Sequence, residues 1–237
     1  HGDEAALREV ILARPDLPVS VHHMLIMAVS STLSQFIDQC QWMRSERRTR
    51  VVSEACEAAT IAIAQDTVHE SSVALVQHLR ATHQLTAGLL LRALFSQRVE
   101  FVVAAIEDLS GQPHKRVLAL VRDPRSAGFR ALYLQAGLPD SLLPAFRAAF
   151  LALQDIAGQD NEPLAGLNRG MIERTLQALA DLPEADYDKL FALLRRYEAE
   201  ATRAEARAFI DAMMREPAAN LEDDIRALIE QEFVAAA

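Results

Sequence analysis

Four short, strongly apolar helices follow one another between Leu85 and Pro139, separated by turns of only a few residues. Thr86 is a typical N-cap residue, because its hydroxyl can accept a hydrogen bond from a free backbone N–H group of the first turn. Gly111 follows the second helix, where a left-handed residue ends a helix without strain. This density of helices and turns is typical of stacked helical hairpins, so we predict an all-α, HEAT-like stack of antiparallel helical hairpins.

The rest of the chain has the same helical character. Only 8 glycines and 9 prolines interrupt 237 residues, and no segment of useful length shows the alternating pattern of a half-buried strand. Towards the C-terminus, the pattern predicts one long helix over Glu184 to Glu216 and a last helix over Leu221 to Val234. The predicted fold class is therefore all-α throughout.

A polar, turn-rich stretch over residues 159–170 (QDNEPLAGLNRG) is the candidate linker between two units. We predict a HEAT-like helical-hairpin domain over residues 1–158 and an acidic C-terminal helical segment over residues 171–237. That segment is expected to pack on the first domain or on a second subunit. One stripe of its long helix is a candidate homodimer seam, because its small side chains allow close approach of two helices. The stripe comprises Leu190, Leu194, Tyr197, Ala201 and Ala204.

Charge, cysteine content and hydropathy limit the classes of function. The formal net charge of -9 disfavours nucleic acid as a partner, since an acidic protein repels phosphate over long range. Cys40 and Cys56 are too few and too far apart for a disulfide framework or a zinc cage, and they suit a reduced, cytoplasmic protein. No apolar run approaches the ~20 residues that a membrane-spanning helix needs, so no membrane association is expected.

No catalytic motif is found, and we predict a protein that is not an enzyme and carries no cofactor. There is no phosphate-binding loop, dinucleotide fingerprint or nucleophile elbow. His69-Glu70 begins like a zinc-protease motif, but Val73 occupies the position where the second histidine would stand. His78 and His83 are five residues apart and diverge on a helix. The sequence therefore predicts no metal site.

Polar side chains embedded in the apolar helices are the candidate contacts for a protein partner. They are Arg92, Arg116, Arg130 and Tyr133. The alternative is a structural role, in which arginine stems cover apolar surface and their heads cap helix ends.

A local basic run supplies an alternative hypothesis, nucleic-acid binding with a stacking aromatic side chain. Its residues are Trp42, Arg44, Arg47, Arg48 and Arg50. The plainer interpretation, which we favour, is a solvated helix start whose arginines pair with carboxylates elsewhere.

Several segments resemble a bacterial family known as domain of unknown function 2336, whose members are described as all-helical. The resemblance lies in LLLRAL (89–94), LSGQP (109–113), RVLALVRD (116–123) and above all GFRALYLQAGLP (128–139). It is strongest over residues 85–146, and Arg92 and Arg130 match positions of the family pattern. That pattern has a glycine in the turn near Ser96 to Arg98, which this chain lacks. The resemblance implies an all-helical fold and no particular activity.

The function that we expect is a noncatalytic adaptor or scaffold that binds another protein through a curved helical surface, as helical solenoids do. Two alternatives stay open. One is nucleic-acid binding through the segment from Trp42 to Arg50, and the other is a small-ligand sensor or enzyme with a cavity between hairpins.

Overall fold

Helices make up all of the regular structure in the described part of the chain. The computed structural model describes residues 14, 17–40, 44–64, 69–156 and 166–235, with side chains up to residue 214. These residues contain ten α-helices and no strand, which confirms the all-α class. The α-helices are α1 (Val19–Cys40), α2 (Ser45–Ile63), α3 (His69–Ala81), α4 (Ala87–Phe95), α5 (Val99–Ser110), α6 (His114–Val121), α7 (Ala127–Gln135), α8 (Leu143–Ile156), α9 (Arg169–Ala178) and α10 (Asp188–Ala235). Short 3-10 helices at Asp140–Leu142 and Glu184–Asp186 precede α8 and α10.

Local signals set the boundaries of the central helices as predicted. The Thr86 hydroxyl accepts a hydrogen bond of 3.1 Å from the backbone N–H of Leu89 and caps α4. Gly111 ends α5 in the left-handed conformation, at φ 66°. In the turn between these helices, Gln97 adopts φ 60°, a conformation in which glycine is more usual.

The two most deeply buried helices are α4 and α5, and the others pack around them. Helix α4 contacts α5, α8 and α9, whereas α5 contacts α3, α6 and α7. Every residue of α4 from Leu89 to Phe95 is buried, because that sequence is apolar on all sides apart from Arg92. Helix α1 packs on α2 and α3 and extends the same assembly.

Helix α10 does not end where the sequence pattern predicted. It runs without a break from Asp188 to Ala235, so the predicted end at Glu216 was wrong. An internal proline such as Pro217 removes one backbone hydrogen bond, which a long helix can tolerate. Beyond Ala201, every residue from Thr202 to Met214 is exposed.

The structure bears on four of the five residues of the predicted dimer seam. Four residues of the stripe, Leu190, Leu194, Tyr197 and Ala201, are at most 2% exposed and belong to the chain's own core. Residues that are already buried within one chain cannot form the seam between two. The first part of α10 therefore packs on the same chain.

The division into two units stays a prediction, because residues 157–165 lie outside the described residues. Two observations bear on the packing of the C-terminal segment. Helix α9 packs on α8 and α4, and the backbone N–H of Asn168 donates a 2.8 Å hydrogen bond to the Phe95 carbonyl.

No helix in the described ranges is long and apolar enough to cross a membrane. Cys40 and Cys56 are both free thiols.

Candidate functional site

A buried charge cluster joins α2, α4 and α10. The Arg92 guanidinium, only 2% exposed, lies 3.3 Å from Glu57 Oε2 and donates to both carboxylate oxygens of Glu200. Arg196 reaches the same Glu57 oxygen at 3.4 Å. This bidentate, enclosed arrangement is typical of a structural ion pair, because a buried guanidinium needs compensating charge and hydrogen bonds.

Tyr197 lies between the two arginines of this cluster. Its hydroxyl donates a 2.9 Å hydrogen bond to the Gly88 carbonyl, and its ring faces Arg92 and Arg196 with centroid distances of 5.6 and 5.2 Å. Burial raises the pKa of the Tyr197 hydroxyl, and the charge of Glu57 raises it further. The side chain is therefore a neutral hydrogen-bond donor that fastens α10 to α4.

Of the four residues predicted to contact a protein partner, two are buried and two are exposed. Arg92 and Tyr133 are buried, so they cannot present a surface to a macromolecular partner, and the structural alternative applies to both. Tyr133 donates a 2.9 Å hydrogen bond to the Pro139 carbonyl, and burial, with a contribution from Asp140, raises the pKa of its hydroxyl. Arg116 on α6 and Arg130 on α7 are exposed and remain available to a partner.

A basic groove between α2 and α10 was not foreseen from the sequence. We use the name basic groove for a depression of about 580 Å³ in which five lining side chains are cationic and Glu54 is the acidic one. The cationic residues are Arg50, Lys189, Arg195, Arg196 and Arg203. Apolar lining comes from Ala192, Leu193 and Ala199. The charges meet because α2 and α10, which are far apart in sequence, both line the depression.

Carboxylates neutralise only part of the basic groove. Arg195 pairs with Glu184 at 2.8 Å, Arg196 with Glu57 at 3.4 Å and Arg203 with Glu54 at 3.5 Å. Arg50 and Lys189 are exposed and have no ion pair within the described ranges. The groove thus offers at least two uncompensated cations to an anionic group.

The predicted nucleic-acid segment is only partly described, because Trp42 lies outside the described residues. Arg44, Arg47 and Arg50 are exposed at the start of α2, and Arg48 forms an ion pair with Asp38. The plainer interpretation of this segment, a solvated helix start whose arginines pair with carboxylates, predicts such an ion pair for Arg48. The sequence did not indicate that Arg50 would join residues of α10.

A cavity of about 420 Å³ lies among α1, α2, α3 and α4. Apolar lining comes from Met27, Val52, Leu79 and Leu89, and polar groups that include His23, Cys56 and Glu57 line the rest. His23 is 1% exposed, and its Nδ1 has no hydrogen-bond partner among the described residues. A pocket that combines apolar lining with polar groups able to orient a ligand is a common form of small-ligand site.

The stability of the fold is expected to depend on pH through His23. Burial lowers the pKa of His23, and the neighbouring His78 ring, 5.2 Å away between centroids, lowers it further. Protonation therefore favours the unfolded chain, whose histidines titrate near 6.5. Stability is fully present above that pH and falls as the pH drops towards the lower pKa of the folded state.

The measurement is urea unfolding of the unaltered chain and of His23→Gln at about pH 7.5 and about pH 5.5. The loss of unfolding free energy on acidification should be smaller in the variant, which cannot titrate at this position. Equal losses in the two proteins would show that His23 is not the titrating group.

One group of potential metal ligands was missed by the sequence analysis. His69, Glu107 and His114 each offer one ligand atom, and these atoms all lie within 4.8 Å of one another. A zinc-protease motif would place the second histidine four residues after His69, whereas the structure supplies it from another helix. Spacings of 38 and 45 residues along the chain carry no recognisable pattern.

These features define an all-helical protein with a buried charge cluster, a basic groove and a cavity beside His23. The chain belongs to DUF2336, a family described as "uncharacterised protein conserved in bacteria", and the family's sequence profile matches residues 1–181. The resemblance seen in the apolar helices is thereby confirmed. No curated protein and no solved structure matches the chain significantly. Helix α10, including its side of the basic groove, lies beyond the matched residues.

Proposed function

We propose that the protein is a noncatalytic interaction module that binds an acidic segment of another protein in the basic groove. The observation that carries the proposal is the convergence of five cationic side chains from α2 and α10 on one concave surface. The proposal includes a HEAT-like stacking of the helices, in which such a surface is the usual binding face.

The lining of the groove favours an acidic peptide over nucleic acid. Leu193 and two alanines provide apolar contacts beside the cations, which suits carboxylate side chains interspersed with apolar ones. The net charge of -9 also opposes the approach of a nucleic-acid backbone. A short acidic segment can instead approach the locally positive groove and gain charge-assisted hydrogen bonds there.

The test compares two double charge reversals in the full chain. Arg50→Glu with Lys189→Glu alters the groove at exposed positions that have no ion pair in the described ranges, and so should leave the fold intact. Arg116→Glu with Arg130→Glu reverses two exposed charges on α6 and α7 and serves as the matched control. Partners retained by each protein from lysate, with and without nuclease treatment, are identified, and their affinities are measured with purified components.

We expect an acidic protein to bind the unaltered chain and the control, and to bind the groove variant at least about tenfold more weakly, a difference of about 1.4 kcal/mol. Equal binding by the groove variant would refute the groove proposal. Loss of binding in the α6–α7 variant alone would indicate that the partner binds the surface around Arg116 and Arg130. Retention of material only without nuclease treatment would favour nucleic acid.

A second candidate function, binding of a small molecule, is supported by the cavity beside His23. A ligand of mainly apolar character with one hydrogen-bonding group would fill the cavity and satisfy Nδ1 of that ring. Native mass spectrometry of the purified chain should show added mass that is absent from a Val52→Trp variant, in which the new side chain occupies the cavity. The same spectrum for both proteins would argue against this function.

A further inference from the structure

We propose that His69, Glu107 and His114 bind a divalent transition-metal ion, with zinc as the best match. Imidazole nitrogen and carboxylate oxygen are ordinary zinc ligands, and a set of two histidines and one glutamate is an established combination. The proposal is independent of the basic groove, because these residues lie on α3, α5 and α6.

Two of the three distances between the ligand atoms are close to those around a tetrahedral ion. Glu107 Oε2 lies 3.2 Å from His114 Nδ1 and 3.6 Å from His69 Nε2. Zinc bonds of about 2.0–2.1 Å at tetrahedral angles place neighbouring ligand atoms about 3.3 Å apart. All three ligand atoms lie within 4.8 Å of one another, so an adjustment of the side chains would place them around one ion.

Packed helices hold the three ligands in place. His69 is the first residue of α3, His114 is the first residue of α6, and Glu107 lies on α5, which packs against both of these helices. The two imidazole rings are in contact, with centroids 4.2 Å apart. Their side chains are 37% and 32% exposed, and that of Glu107 is 28% exposed, so an ion has access from solvent.

A fourth residue is positioned to support the site. Nδ1 of His69 is buried and has no hydrogen-bond partner among the described residues, and Glu100 Oε2 lies 3.9 Å from it. Histidine ligands of metals commonly donate their second ring N–H to a carboxylate, which fixes the orientation of the ring. A small movement of the exposed Glu100 side chain would complete this contact. Three protein ligands leave one coordination position for water or for a group from another molecule.

The test is a titration of the tag-free, metal-stripped full chain with ZnCl2, followed by calorimetry, and with CoCl2, followed by visible absorption. We expect one ion per chain, release of protons on binding and the absorption bands of tetrahedral cobalt. His114→Ala and Glu107→Gln, made separately, should each weaken zinc binding by more than about tenfold, and Glu100→Gln by about tenfold. His22→Ala, which alters a histidine on α1 outside the cluster, should bind as the unaltered chain does.

Thermal unfolding supplies a second readout. Zinc should raise the melting temperature of the unaltered chain and of His22→Ala, because an ion that binds only the folded state stabilises it. It should leave the melting temperatures of His114→Ala and Glu107→Gln nearly unchanged, and circular dichroism would show whether these variants are folded. Failure of the unaltered chain to take up zinc or cobalt, or equal uptake by the His114→Ala variant, would overturn the proposal.

Discussion

Replacing Arg92 with methionine is expected to lower the free energy of unfolding by about 3 kcal/mol, at the lower end of the range for breaking a buried ion pair. The substitution leaves the partly buried carboxylate of Glu200 without its arginine and leaves Glu57 with Arg196 alone. The side chains of Glu57 and Glu200 are 24% and 21% exposed, and partial hydration keeps the loss from being larger. Urea unfolding of the full chain measures the effect.

Two further variants separate the charge effect from packing. Arg116→Met removes an exposed arginine and should change stability by no more than about 0.5 kcal/mol. Adding Glu200→Gln to Arg92→Met should recover part of the loss, because the Glu200 carboxylate is then neutral and Glu57 keeps Arg196 as its partner. If Arg92→Met were as mild as Arg116→Met, the cluster would not be a structural ion pair.

Tyr197→Ala is expected to cost about 3–5 kcal/mol, the usual range for truncating a buried aromatic side chain. The ring is fully buried, packs edge-to-face on Phe95 and is flanked by two guanidinium groups. Tyr197→Phe removes only the hydroxyl and its hydrogen bond to Gly88, so a loss of about 1 kcal/mol is expected. Urea unfolding again provides the measurement.

The matched control for Tyr197 lies on the same helix. Phe209 is 66% exposed, and Phe209→Ala should change stability by no more than about 0.5 kcal/mol. Equal effects of Tyr197→Ala and Phe209→Ala would mean that α10 is not fastened to the core. The expected contrast implies that the part of α10 up to Ala201 completes the fold, although it lies beyond the residues that match the family.

The basic groove and the charge cluster share a residue, which shapes the choice of variants. Arg196 lines the groove and also contacts Glu57 and the Tyr197 ring. Substitution of Arg196 would change binding and stability together. Arg50 and Lys189 have no such second role among the described residues, so they report on binding alone.

Local sequence signals were sufficient to predict the type and the boundaries of the central helices. The apolar density of residues 85–139, the N-cap at Thr86 and the left-handed glycine at Gly111 predicted helix type and boundaries that the structure confirms. Each of these features depends on residues within one or two turns of each other, and a sequence displays such relations directly.

Only the tertiary structure decided what surrounds the charged and titratable side chains. Arg92 finds its carboxylates 35 and 108 residues away, and the basic groove joins Arg50 to residues of α10. The same holds for His69, Glu107 and His114, which three separate helices bring within 4.8 Å. Helical periodicity shows that Tyr197 lies on an apolar stripe. A stripe that packed against a second subunit would have the same sequence pattern. What that stripe contacts depends on how the helices pack, which is a property of the whole chain.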